Sequence, residues 1–240
     1  MIPNIVHFIY PVNDRTRPFS TLNIQAVKRA AQIQKPDQIR FWTNAKAGDI
    51  SGWSEIADLV DLIPTIMPDH EWPQYQSDTL RLQILYEQGG IYMDTDLLTL
   101  QEYPMFDDSL LLSWESENRE SISNALMISA PGVPFLEEWL HRLPQAQGSS
   151  VWAYGGVVLP AEMLYDHDVD RDNVITMPPS FCCLFDLSKP WLLDADLKAE
   201  AREKLRSNDP HGIHVFETYW RHRLPGWEQR DCLLRDLKVP

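Results

Sequence analysis

The chain has 240 residues, 44% of them hydrophobic and 23% charged, which excludes disordered and fibrous classes. Thirty-five acids against twenty-one bases leave a formal charge of −14, with a pI near 4.8. Such a surface repels phosphates, so nucleic acid is not an expected partner, and an anionic ligand needs local bases or a metal ion.

Ile5, Val6, Phe8, Ile9 and Tyr10 read as a buried first strand ended by Pro11. Leu22, Ala26, Val27 and Ala30 recur at helical spacing until Pro36, and Ile39 to Trp42 reads as a second strand. That is a β-α-β unit, the usual opening of a parallel, helix-covered sheet. Residues 45–76 carry a weaker pattern, a short helix near Glu55–Val60 and then a proline-punctuated loop. The clearest helix runs from Ser77 to Gln88, capped by Ser77 or Asp78 and stopped by Gly89-Gly90. Ile91 to Met93 is a short strand. Leu110–Trp114 and Ala125–Ser129 read as further strands, Phe135–Leu143 as a helix, and Leu159–Tyr165 as a helix after Gly155-Gly156. Val174–Met177, a strand at Ile213–Phe216 and an amphipathic stretch from Glu228 to Leu237 complete a single α/β domain spanning residues 1–240.

Cys182, Cys183 and Cys232 are odd in number and lack CxxC spacing, which favours a reducing compartment over a disulfide framework. The N-terminus lacks a basic leader and a cleavage site, and no apolar run approaches the ~20 residues of a membrane span. The expectation is a cytoplasmic chain without a transmembrane segment, with peripheral membrane association or secretion as an effector left open.

The densest chemistry lies in SDTLRLQILYEQGGIYMDTD, residues 77–96. It reads as a helix, a glycine hinge, a strand and two acids at the strand's C-terminal end, where ligands of α/β sheets gather. In an extended segment Asp94 and Asp96 point the same way, with Thr95 opposite. Two carboxylates so placed can hold Mg²⁺ or Mn²⁺, ions that share their shells with substrate phosphates. Asp78 and Arg81 share a helix face, which the hinge could turn toward the acid pair. Taken singly, Asp-x-Asp is common in acidic chains and Asp78–Arg81 is an ordinary helical pair; together they are far more specific.

This block resembles the S-D-x-x-R-x-x-x-L-x-x-x-G-G-x-Y-x-D-x-D signature of DXD-containing glycosyltransferases of the family-32 type. Those include mannosyltransferases and bacterial capsule enzymes, with clostridial glucosylating toxins as relatives. The resemblance implies a GT-A fold, a UDP- or GDP-sugar donor, Mn²⁺ or Mg²⁺, retention of anomeric configuration, and a glycan, lipid-linked sugar or protein acceptor. It implies Asp94 and Asp96 as metal ligands, with Ser77, Asp78, Arg81 and Tyr92 around the sugar and diphosphate.

Ile2–Tyr10 resembles the family's opening strand, with Tyr10 where Trp usually stacks on the base. Phe41-Trp42-Thr43-Asn44 resembles the end of the second strand, placing Asn44 beside the nucleoside. Residues 123–136 resemble a further segment, with Val133 for the usual His and Asn124 near the donor sugar. His214-Val-Phe-Glu-Thr-Tyr-Trp220 resembles the C-terminal H-x-x-x-x-S-W element. It implies His214 as a further metal ligand or diphosphate neighbour, Thr218 as a substitute hydroxyl for the displaced Ser, and Trp220 closing the loop. Glu217 is another candidate oxygen ligand, and His214, Arg221, His222 and Arg223 form the best basic patch. His7 reads as structural.

Two other readings stay open at this point: a haloacid-dehalogenase-like phosphatase using Asp94 as nucleophile, and a degenerate carbohydrate-binding module. Zinc on His211-x-x-His214 lacks further ligands of suitable spacing. Trp42, Trp139 and Trp191 fit core positions, while Trp72, Trp152 and Trp227 fall in loop-like segments that could line an acceptor cleft.

Overall fold

The β-rich run at the N-terminus forms β1 (Ile5–Tyr10), an interior strand of a seven-stranded sheet in the computed structural model, which describes residues 1–146, 149, 153–224, 226 and 232–237. In chain order there follow α1 (Thr21–Arg29), β2 (Gln38–Thr43), β3 (Asp61–Pro64), α2 (Pro73–Gln88), β4 (Gly90–Met93) and β5 (Leu97–Thr99). After these come β6 (Leu110–Trp114), β7 (Ile122–Ser129), α3 (Pro134–Ala146), α4 (Leu159–Tyr165), β8 (Val174–Met177) and α5 (Lys198–Asn208). The described chain closes with β9 (Gly212–His214), α6 (Glu217–Arg223) and α7 (Leu233–Asp236).

The sheet order is β3-β2-β1-β4-β7-β6-β8. Only β7 runs antiparallel to its neighbours; every other adjacent pair is parallel, so the sheet is the mostly parallel one expected. Chain order reverses at β1, which pairs with β2 on one side and β4 on the other. This switch point opens a crevice beyond the strands' C-terminal ends. β5 and β9 form a separate antiparallel pair in which Leu97 faces His214.

Two apolar clusters hold these layers. The larger surrounds the central sheet and includes Val6, Phe8, Leu85, Ile91, Met93, Leu126 and Trp139. The smaller gathers Leu98, Phe185, Trp191, Ile213, Val215, Trp220 and Leu233. Helix α1 serves both, sending Ile24 and Val27 into the larger and Leu22 and Ala26 into the smaller. Trp139 and Trp191 are core residues as expected, and Trp42 is half-buried with its indole donating to His7 Nδ1.

Several expectations are corrected. α2 begins one turn early, with Pro73 in its first turn, so Ser77 and Asp78 are buried interior residues and not caps. Residues 53–59 form a short 3₁₀ helix and turns in place of the Glu55–Val60 helix, and β3 adds an edge strand that the proline-rich context concealed. The strand expected at Ile213–Phe216 is β9, ending at His214, because Phe216 adopts φ 55 and turns the chain into α6. Of the amphipathic stretch Glu228–Leu237, residues 228–231 lie outside the described part, and Leu233–Asp236 form α7.

The glycine pair is a steric requirement. Gly89 and Gly90 have φ of 65° and 102°. A Cβ on Gly89 would stand 2.7 Å from the Ser129 carbonyl oxygen, and one on Gly90 2.6 Å from that of Ile5. His7 locks the hinge. Its Nδ1 accepts from the Trp42 indole, which can only donate, so Nε2 carries the proton and donates to the Gly89 carbonyl at 3.0 Å.

Candidate metal and donor site

The acid pair does not continue β4. Asp94, Thr95 and Asp96 form a turn between β4 and β5, closed by the Leu97 amide donating to the Asp94 carbonyl. The carboxylates converge because this turn meets β9. Ligand atoms of Asp94, Asp96 and His214 all lie within 4.8 Å of one another. His214 Nε2 is 3.4 Å from Asp96 Oδ1 and 3.9 Å from Asp94 Oδ2.

Beneath this cluster lies a buried ionic floor. The Arg81 guanidinium, 4% exposed, reaches Asp78 at 3.1 Å and Asp94 at 3.4 Å. It also donates to the carbonyls of Ser77 and Asn124 and sits 4.5 Å over the Tyr92 ring. The Tyr92 hydroxyl donates to Asp94 Oδ1, and the Asn124 side-chain amide donates to Asp78 Oδ1. Burial pushes the Asp78 carboxyl up to about 6, although Arg81 pulls it down. A Cβ on Gly156 would stand 2.5 Å from Asn124 Nδ2 and 2.8 Å from Asp78 Oδ2, so the wall beside these two side chains has to be glycine. Nothing in the bare sequence marked Gly156 beyond its place in a Gly-Gly pair.

The rim above is built by the C-terminal segment. The Glu217 amide donates to Asp96 Oδ2 at 2.7 Å, and the Val215 amide donates to the Asp96 carbonyl. Burial would raise Asp96, but the His214 imidazole and the Glu217 amide hold it below the ordinary carboxylate range. Burial likewise pulls His214 down, yet Asp96 and Asp94 overcome it and raise the imidazole to about 9. The Glu217 carboxylate is buried, accepts from Arg221 at 2.5 Å and from the Asn23 amide at 3.1 Å, and is pushed up by burial and by Asp96.

This donor set suits a hard divalent cation. The carboxylates of Asp78, Asp94, Asp96 and Glu217 gather around His214, with the Arg81 guanidinium on Asp78 and Asp94 and the Arg221 guanidinium on Glu217. The buried His214 Nδ1 has no hydrogen-bond partner among the described residues. Oxygen and imidazole ligands without thiolate fit Mn²⁺ or Mg²⁺.

Other expected residues lie farther from this cluster or are otherwise engaged. Tyr10 donates to the Arg17 carbonyl and packs edge-on against Phe19, leaving it half-buried at the β1 terminus. The Asn44 side chain is a clamp, accepting from the Val12 amide and donating to the Val12 carbonyl. Thr218 is exposed, whereas Trp220 is buried in the smaller cluster. Of the basic patch, Arg223 turns back onto Tyr219, and the His222 side chain lies outside the described part. Val133 is a core residue. Trp72 is partly exposed under Arg15, and Trp152 and Trp227 lie outside the described residues.

Comparison with known proteins agrees with this geometry. Residues 20–119 match the family described as glycosyltransferase sugar-binding region containing DXD motif. Glucan organizing enzyme 1 of Cryptococcus neoformans var. grubii is 27% identical over 194 residues, covering 71% of this chain and 51% of that protein. The human alpha-1,4-N-acetylglucosaminyltransferase is 31% identical over 96 residues, covering 40% of this chain and 27% of that protein. The chain thus spans about half the length of the first relative and about a quarter of the second. Among solved structures, PaToxG glycosyltransferase superposes with a TM-score of 0.53 at 16% identity, covering 67% of each chain. Glycosyltransferase GlyE of Streptococcus pneumoniae gives 0.52 at 12% identity over 100% of this chain and 65% of its own. The fold is therefore GT-A.

Proposed function

We propose, from the match of residues 20–119 to the family described as glycosyltransferase sugar-binding region containing DXD motif, that the chain moves a hexose from a UDP- or GDP-sugar to a glycan, lipid-linked sugar or protein acceptor. The observation that carries this reading is the convergence of Asp94, Asp96 and His214 over the buried Asp78–Arg81 floor. Loss of a nucleoside diphosphate builds negative charge on the leaving oxygen, so catalysis needs fixed positive charge there. Asp94, Asp96 and His214 would hold Mn²⁺ or Mg²⁺, which supplies Lewis-acid stabilisation of that charge when bound.

The chain's own groups divide the remaining work. Asp78 and Asn124, braced against each other beside Gly156, would accept from and donate to hydroxyls of the transferred sugar. Arg81 acts through them and through Asp94; its buried guanidinium is committed to the protein, which differs from the direct sugar or diphosphate contact implied by resemblance. Tyr10 and Asn44 flank the crevice beyond β1 and β2, on the nucleoside side, with Asn44 shaping the 11–13 loop by its clamp. The reading includes retention of configuration and a single catalytic domain.

A donor-hydrolysis screen over UDP- and GDP-sugars, with and without Mn²⁺, tests it. Release of free sugar that depends on the metal is expected from at least one donor. Nucleotide-sugar binding without turnover would point instead to a degenerate binding module, and neither binding nor turnover would overturn the proposal. The phosphatase reading fits less well, because Asp94 Oδ1 is engaged by Tyr92 and lies 3.4 Å from Arg81.

A further inference from the structure

Asn23 lies outside every motif of the sequence, yet its side chain joins its own helix cap to two segments of the site. It is buried, 4% exposed, in the first turn of α1. Its Oδ1 accepts from the Ser20 amide at 2.8 Å, completing a reciprocal cap with the Ser20 hydroxyl. Its Nδ2 donates to the Thr95 carbonyl at 2.9 Å, in the middle of the Asp94–Asp96 turn, and to Glu217 Oε2 at 3.1 Å. Glu217 in turn gives its amide to Asp96 Oδ2.

We propose that Asn23 is a positioning residue for the cation site: by joining the Thr95 carbonyl to the Glu217 carboxylate, it sets the Asp94–Asp96 turn against the His214–Glu217 segment. The inference rests on the metal-dependent reading above. The physical reason is geometric. Asp94 and Asp96 sit on a turn whose backbone could rotate either carboxylate away, and β9 and α6 reach that turn from more than a hundred residues later. A planar amide with two fixed N–H donors reaches the Thr95 backbone carbonyl and the Glu217 carboxylate at once, which a hydroxyl or a single donor cannot do. Ordering ligands in advance through such outer hydrogen bonds is worth roughly 10–100-fold in metal affinity where it has been dissected.

The test titrates Mn²⁺ alone into the full chain, read by the electron paramagnetic resonance signal of free Mn²⁺. Asn23→Asp keeps the acceptor for the Ser20 amide and removes both donated bonds, and Asn23→Ala removes all three. Both should raise the Mn²⁺ Kd at least tenfold, and the Mn²⁺ concentration for half-maximal donor hydrolysis should rise in parallel while kcat at saturating Mn²⁺ stays within about threefold. Val27→Ala, which weakens α1 through its apolar face, should lower Tm and leave the Kd within twofold. Asn23→Asp adds a negative charge, so an account based on net charge alone requires tighter binding. Unchanged or tighter binding by both Asn23 variants, or an equal loss in Val27→Ala, overturns the positioning role. Failure of the wild-type chain to bind Mn²⁺ at all overturns the metal reading beneath it.

Discussion

The floor and the rim of the site carry similar charges under opposite constraints. In the floor, Asp78 and Asp94 share Arg81 within the larger core, and Tyr92 and Asn124 occupy further positions on the two carboxylates. In the rim, Asp96 and Glu217 meet His214 and Arg221 against the smaller cluster, which is assembled from segments distant in sequence. The floor holds a permanently charged internal cation, the Arg81 guanidinium. The rim holds a titratable one, since the His214 imidazole can trade its proton for a metal ion. Buried ion pairs contribute little net stability when intact, but removing one partner strands the other, so the floor should be structural and the rim exchangeable.

Truncating the floor is therefore the hardest way to break this contrast. Arg81→Ala leaves Asp78 and Asp94 without their guanidinium and should destabilise the chain by about 3–5 kcal/mol, measured by urea denaturation. A loss below about 1 kcal/mol would show that the floor is no more structural than the rim. Asp96→Asn should do the reverse. It keeps the side chain's size and its acceptor for the Glu217 amide, so Tm should change little. Metal-dependent donor hydrolysis should fall on the order of 10²–10³-fold, about 3–4 kcal/mol of transition-state stabilisation. Wild-type-like turnover in that variant, with Mn²⁺ present, would sink the metal assignment.

A third test reads the hinge that aims the floor. Burial depresses the His7 imidazole from 6.5 to about 4, so the folded state holds it neutral. The unfolded chain then binds the extra proton between those values, and stability is present above pH 6.5 and falls as pH drops toward 4. The loss attributable to His7 should approach about 3 kcal/mol at the acid end. It is measured as the difference in acid dependence between wild type and His7→Gln, and identical profiles would refute it. The smallest effect belongs to the crevice edge. Asn44→Ala removes two exposed hydrogen bonds to Val12 and should cost roughly 0.5–1.5 kcal/mol or less, with KM for the donor rising more than kcat falls. A reduced kcat at constant KM would move Asn44 from the nucleoside side to the reacting centre.

Legibility from sequence followed the same division. Asp78, Arg81, Gly89, Gly90, Asp94 and Asp96 lie within nineteen consecutive residues, and local rules linked them: helical spacing, a glycine stop, a short strand. Even there the local reading misplaced detail. Ser77 and Asp78 resemble caps because small polar residues usually end helices, but Pro73 starts the helix earlier and tertiary burial overrides the propensity. Asp94 and Asp96 do converge, through a turn and a partner strand and not through strand alternation. β3 was hidden because it is a four-residue edge strand ending in proline.

What the sequence by itself determined is the α/β alternation, the sheet's central strands and the block that carries the floor, because these follow from spacing within one or two elements. Tertiary structure alone decided the rim. The β5–β9 pairing that sets Leu97 opposite His214, the Glu217 amide on Asp96 and the Asn23 bridge all join residues separated by tens of positions to more than a hundred. No local periodicity encodes such contacts. They exist because α1 and the C-terminal segment share the smaller apolar cluster, and burying it brings Glu217 and His214 over the acidic turn.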